Sequence, residues 1–122
     1  MAMFRAVVEV SGQYRAGRCV GSTPMETIEL KDGGLLLFGD AFLPSEVADR
    51  YFVDLRDHCQ WEQKPGILGH MQPRLIASNG DSGITYKYSG VENVALRWTT
   101  TLLEIKRKIE SVQGEYNYCL LN

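Results

Sequence analysis

Hydrophobic and polar positions follow two periods along this chain. In Ile84–Tyr88 the period is two. Ile84, Tyr86 and Tyr88 face one way, Thr85 and Lys87 the other, which predicts a strand ended by Ser89-Gly90. Glu115–Asn122 repeats the pattern, with Tyr116, Tyr118 and Leu120 opposed to Asn117, Cys119 and Leu121. Glu26–Leu30 and Leu35–Phe38 flank Lys31-Asp32-Gly33-Gly34, whose glycines supply positive φ, so a hairpin is expected there. Leu35–Phe38 is continuously apolar, as in a buried strand. A further short strand is expected near Val7–Val10.

Elsewhere the period is helical. Val47, Tyr51, Leu55 and Cys59 form a stripe that Ala48 and Phe52 widen. Ser45 is placed to cap this helix, Glu46 and Asp49 suit its positive end, and it is expected to end near Trp61. A second helix is expected from Thr101, where Thr101-Leu102-Leu103-Glu104 matches a capping box. Its buried stripe is Leu102, Ile105, Ile109 and Val112, its solvated face holds Lys106, Arg107 and Lys108, and Gly114 ends it. Residues 62–83, rich in Gly and Pro, read as a long loop, and long loops in compact domains are often functional. Residues 1–25 read as an N-terminal arm or loop and 26–122 as the domain proper.

Composition narrows the class. The chain has 122 residues, 44% hydrophobic and 23% charged, ordinary values for one soluble domain. A net charge of −2 excludes a polybasic binding mode but leaves room for local phosphate contacts. Cys19, Cys59 and Cys119 are widely spaced without a CxxC pair, so reduced thiols and a cytoplasmic or nuclear location are expected. No apolar run approaches the roughly 18 residues of a membrane span, so no membrane partner is expected. The two histidines, His58 and His70, lie in no HxD, HxE or HxxxH pattern, and no metal ligand set is expected from this chain.

The block with most chemistry is Pro73–Gly90. Arg74 enters it, Gly80-Asp81 turns it, and Tyr86 and Tyr88 share a strand face before Ser89-Gly90. Two readings stand for each part. The tyrosines stack on a flat heterocycle or fill a core. Arg74 contacts a phosphate or base edge, or pairs with Asp81.

This block resembles the PRxxxxYGDxGxxYxYSG segment of the AlkB family, iron(II)- and 2-oxoglutarate-dependent dioxygenases that remove alkyl lesions from nucleic-acid bases. Leu36–Phe42, the helix of Pro44–Trp61, the Gly66–Gly69 loop, Trp98 and the FNxxLxN-like Tyr116–Asn122 follow in family order. The likeness runs over roughly residues 26–122. It implies an α+β fold, part of a double-stranded β-helix (jelly roll) with two helices on the sheet. It also implies that Arg74, Tyr86, Tyr88 and Ser89 line the path of a flipped base and its phosphates, that Asn122 contacts 2-oxoglutarate, and that Ile67–His70 offers an apolar wedge. Asn79 replaces the family's Tyr before Gly-Asp, a change expected to alter substrate contacts. The family's HxD pair, later His and two Args, which hold iron and 2-oxoglutarate, would follow Asn122. The expectation is therefore the substrate-recognition half of a dealkylating enzyme, truncated at Asn122, with alkylated DNA or RNA as partner, binding neither iron nor 2-oxoglutarate by itself and holding no catalytic residue. The alternative is a non-catalytic module for single-stranded nucleic acid.

Overall fold

The hairpin expected around Asp32-Gly33 forms in the computed structural model, which describes residues 6–10, 25–39, 41–88, 90–112 and 114–122, with only the backbone at 6–10 and Tyr88. Ser89, Cys19 and most of the expected arm lie outside the described residues. The described chain falls into two compact units. One is drawn from the chain up to Val53 with Arg107–Gly114, the other from Asp54–Lys106 with Glu115–Asn122.

In the first unit, β2 (Glu26–Glu29) and β3 (Leu35–Gly39) pair antiparallel with Ile28 opposite Leu36. Gly33 takes a φ of 84° in the turn, and the Leu30 and Gly34 backbones close it at 2.8 Å. The strand expected near Val7–Val10 is β1 (Ala6–Val10). It pairs antiparallel with the other edge of β3, so β3 is central and its Leu37 is only 2% exposed. β2 is exposed along its length and carries Glu26 and Glu29, charges that discourage further pairing at a sheet edge.

Helix α1 (Ser45–His58) buries Ala48, Tyr51 and Leu55, with Cys59 continuing the stripe. Phe52 does not widen it, being half exposed. The helix ends before Trp61 because that side chain folds back as a cap, its indole N–H donating to the Leu55 and Arg56 carbonyls at 3.2 and 3.0 Å. Helix α2 (Thr100–Glu110) begins one residue early. Its cap is Thr99, whose Oγ1 accepts from the Leu102 N–H at 3.2 Å, and not the expected Thr101. The Thr101 hydroxyl instead donates to Asp54, whose other oxygen meets His58 Nδ1 at 3.0 Å.

The second unit corrects the long-loop expectation. Residues 62–76 double back on themselves. Glu62 and Ile76 exchange two 2.9 Å backbone bonds, Pro65 bridges Met71, and the Gly66 N–H donates to the His70 carbonyl at 2.7 Å. Then comes β4 (Ala77–Gly80), buried at every position and central in its sheet. It pairs in parallel with β7 (Leu96–Arg97) and antiparallel with β8 (Tyr118–Leu121). Ala-Ser-Asn-Gly has little strand propensity, and pairing on both edges overrides it. A separate hairpin joins β5 (Thr85–Tyr88) to β6 (Val91–Val94), with Gly90 at φ 77°. The class is α+β with three small sheets, none closed into a barrel among the described residues. No described helix is long and apolar enough to cross a membrane.

Candidate nucleic-acid site

The two-residue period of β4 and β8 sorts their side chains. Ser78 lies opposite Leu120 and Gly80 opposite Tyr118, so these four share one face, while Ala77, Asn79, Cys119 and Leu121 share the other. One step further along each chain, the same period adds Ile76 and Asn122 to the first face. A cavity of about 370 Å³ opens there, with Arg74, Asn122, Asn93 and Gln72 as its polar lining and Ile76 and Leu120 among its apolar lining. Arg74 and Asn122, 48 positions apart in the sequence (122 − 74), thus reach one cavity. No Asp or Glu side chain lines it, and Arg74 is exposed to solvent.

Tyr86 stands beside this face rather than in a core. It is 46% exposed, and its ring lies 5.3 Å from that of Tyr118, tilted by 34°. The Tyr118 hydroxyl donates to Ser78 Oγ at 2.9 Å, which fixes the ring that supports Tyr86. A half-exposed ring tilted against a more buried one offers a π surface at modest cost in stability. For Tyr88 only the backbone is described, opposite Val91.

Asp81 does not pair with Arg74. It accepts from the Trp98 indole N–H at 2.7 Å, and Lys106 lies 5.7 Å from the centre of that indole ring. Trp98 therefore pins the Gly80-Asp81 turn next to the tyrosine strand. Asn79 is not a surface contact either. It is 4% exposed on the opposite face of β4 and donates to the Arg97 carbonyl at 2.7 Å, tying β7 to β4. Cys119 shares that face, and its thiol is pushed up to about 11 by burial and by the neighbouring Cys59. Burial also raises Cys59, with the charge of Asp54 adding to it. Both thiols stay protonated at neutral pH and offer no nucleophile.

The 62–76 excursion ends in Ile67, Leu68 and Gly69, with Gly69 at φ 79°. Ile67 and Leu68 are 74% and 86% exposed. The Ile67 side chain also covers Gly90. A Cβ built at Gly90 would stand 2.6 Å from it, so the glycine admits the contact.

Sequence reasoning passed over three residues of this region: Asn93, Tyr118 as a stacking partner, and Trp98 as a turn brace. Asn93 was hidden because β6 was not expected at all. Once β6 exists, Asn93 falls directly opposite Tyr86. The iron that the resemblance implies does not fit the described residues. His58 is bonded to Asp54, His70 lies in the apolar excursion, and no three His, Cys, Asp or Glu side chains converge among them.

No family model matches the chain. It is 30% identical over 94 residues to the DNA oxidative demethylase ALKBH2 of Mus musculus, an alignment taking in 71% of this chain and 37% of that protein. The chain thus spans little more than a third of that relative's length, and over that span it is similar to an AlkB-type DNA demethylase.

Proposed function

We propose that this chain carries the nucleic-acid-recognition part of an AlkB-like oxidative dealkylase, built on part of a double-stranded β-helix and acting on alkylated DNA or RNA. The observation that supports it most is the meeting of Arg74 and Asn122 at one cavity, since the resemblance gives these two residues ligand roles. In this reading Arg74 holds a phosphate near the cavity mouth as a point of positive charge. Tyr86, backed by Tyr118, stacks on the base, and the resemblance gives Tyr88 and Ser89 base-path roles as well. Leu68 enters the gap that the base leaves. An exposed leucine spends less there than in water, because insertion between bases buries its apolar surface. Asn122 would help hold 2-oxoglutarate, the role that the resemblance gives it. In the family, bound iron and 2-oxoglutarate supply the oxidation of the alkyl carbon; the described residues here bind and orient the base.

Fluorescence anisotropy with labelled single-stranded 12-mers, with and without one N-alkylated base, tests the reading. Salt-sensitive binding is expected, tighter for the alkylated strand. Arg74→Ala should lower the slope of log K against log salt by about one phosphate contact. Absence of binding at low salt would overturn the proposal. The half-exposed Tyr86, tilted against Tyr118, also favours the second reading, a non-catalytic single-strand module, and binding indifferent to the alkyl group would select it.

A further inference from the structure

We infer that the outward side of helix α1 is a self-association surface, on which a second copy of this chain lays its own α1 antiparallel about a two-fold axis. The inference stands apart from the nucleic-acid reading, since none of its residues lines the cavity beside β4.

Helix α1 turns Ala48, Tyr51 and Leu55 inward, yet two large apolar side chains remain on its water side. Phe52 is 50% exposed and Val53 is 47% exposed. Helix α2 leaves no large apolar side chain so exposed. Asp49 stands one turn before this pair and Arg56 one turn after it, and both are exposed. The four residues follow an i, i+3, i+4, i+7 spacing and so form one stripe along the helix. Its order is acid, apolar, apolar, base.

That order is self-complementary in one direction only. An axis midway between Phe52 and Val53 sets each residue against the one equally far on the other side. Asp49 then meets the partner's Arg56, Phe52 meets the partner's Val53, and each contact occurs twice, as a two-fold interface requires. A parallel pairing would set acid against acid and base against base. The apolar pair supplies the attraction, and the charges fix the direction. Arg56 now holds its chain neighbour Asp57 with contacts of 2.6 and 2.9 Å. The two side chains are 58% and 45% exposed, and a pair so open to water is readily exchanged for another. Asp57 is not stranded by the exchange. Arg50 lies seven residues before it on the same side of the helix, so the antiparallel arrangement brings the partner's Arg50 to that flank. One helix face is smaller than a standard interface, so the dimer is a weak one, with a Kd of about 100 µM.

Analytical ultracentrifugation of the 122-residue chain tests this, from about 5 µM to about 1 mM in a reducing buffer that excludes disulfide dimers. A monomer–dimer equilibrium is expected. Phe52→Ser should weaken it about a hundredfold and leave the melting temperature level, because the ring is half exposed in the monomer. Asp49→Arg and Arg56→Asp each place like charges together at two symmetric points, and each should weaken the dimer about tenfold. An equal mixture of these two variants restores opposite charges at both points, so a heterodimer of near wild-type affinity should form. Leu68→Ser is the control. Leu68 is more exposed than Phe52, but it lies outside the stripe, and its loss should leave the dimer unchanged. Circular dichroism checks that each variant is folded. If Arg56→Asp does not fold, Phe52→Ser and Asp49→Arg decide between them. A chain that stays monomeric to 1 mM overturns the inference. So does a dimer that survives Phe52→Ser, one that Leu68→Ser abolishes, or a mixture of folded charge variants that fails to associate.

Discussion

Gly80 is the position where the site and the fold are most tightly coupled. A Cβ added there would lie 2.6 Å from the Asn117 carbonyl oxygen, 3.0 Å from Ala95 Cβ and 3.3 Å from Tyr118 Cα. Two of these three are backbone atoms and cannot turn aside, so Gly80→Ala must push β8 away from β4. Overpacking of this kind costs about 1–3 kcal/mol. The Asn117 carbonyl also accepts from the Asp81 N–H at 2.9 Å, and displacing it weakens that bond by about 1 kcal/mol more. The expected loss is therefore about 3 kcal/mol, a large share of the ~5–15 kcal/mol stability of a small domain. Gly33→Ala is the control, because Gly33 has nothing within 4 Å of the built Cβ and pays only for its φ of 84°, about 1–2 kcal/mol. Urea denaturation followed by far-UV circular dichroism measures both. With a slope of about 1–2 kcal/mol/M, Gly80→Ala should move the midpoint down by roughly 2 M and Gly33→Ala by clearly less. If Gly80→Ala shifts the midpoint no further than Gly33→Ala, the close approach of β8 to β4 is wrong, and with it the placement of Tyr118 under Tyr86.

Three further outcomes are expected. Trp98→Phe keeps the ring but loses the indole N–H to Asp81, and should cost about 1 kcal/mol by thermal melting, with backbone amide exchange at Gly80 and Asp81 quickened in NMR. Tyr86→Ala removes a half-exposed ring whose stacking on Tyr118 is worth about 0.5–1.5 kcal/mol, so stability should fall little while oligonucleotide affinity falls at least fivefold in anisotropy titrations. The raised Cys119 thiol makes stability alkali-sensitive. The unfolded chain loses the proton near pH 9.0 and the folded chain near 11, so the contribution is complete below pH 9 and lost as pH rises to 11. Comparing urea midpoints of the wild type and Cys119→Ala from pH 8 to 11 should show about 2–3 kcal/mol more alkaline loss in the wild type. Parallel pH profiles would refute it.

The strands with alternating side chains and the helices with wide apolar stripes were legible because burial on one face leaves a period in the sequence. β5 and both helix bodies are of this kind, while the first hairpin was legible through its Asp-Gly-Gly turn and the continuous apolar run after it. Helix ends were less legible, since Trp61 and Thr99 act as caps through side-chain geometry that spacing alone does not reveal. Residues 76–80 and 91–97 were illegible for a different reason. They show no clean apolar period, and they become strands only through their partners: β4 through β7 and β8, and β6 through β5. The same blindness hid Asn93. Arg74, Tyr86 and Asn122 were legible through the motif, but that Arg74 and Asn122 share a cavity, and that Tyr86 rests on Tyr118, depends on pairing between distant segments.

The least strand-like segment is thus the one that organises the site, and its composition explains how. Alternate residues of β4 have opposite tasks. Ala77 and Asn79 face inward, where Asn79 fastens β7 through the Arg97 carbonyl. Ser78 and Gly80 face the site, Ser78 holding the Tyr118 hydroxyl and Gly80 letting the chain at Asn117–Tyr118 pass within van der Waals reach. A larger side chain at Gly80 would lift Tyr118 and remove the support of Tyr86. A conventional β-branched residue at Ser78 without a hydroxyl would leave the Tyr118 phenol without its partner. High strand propensity would therefore have come at the expense of the aromatic pair. The smallness that makes β4 unreadable from the sequence is what lets two aromatic rings, an arginine and three carboxamides gather along one side of it.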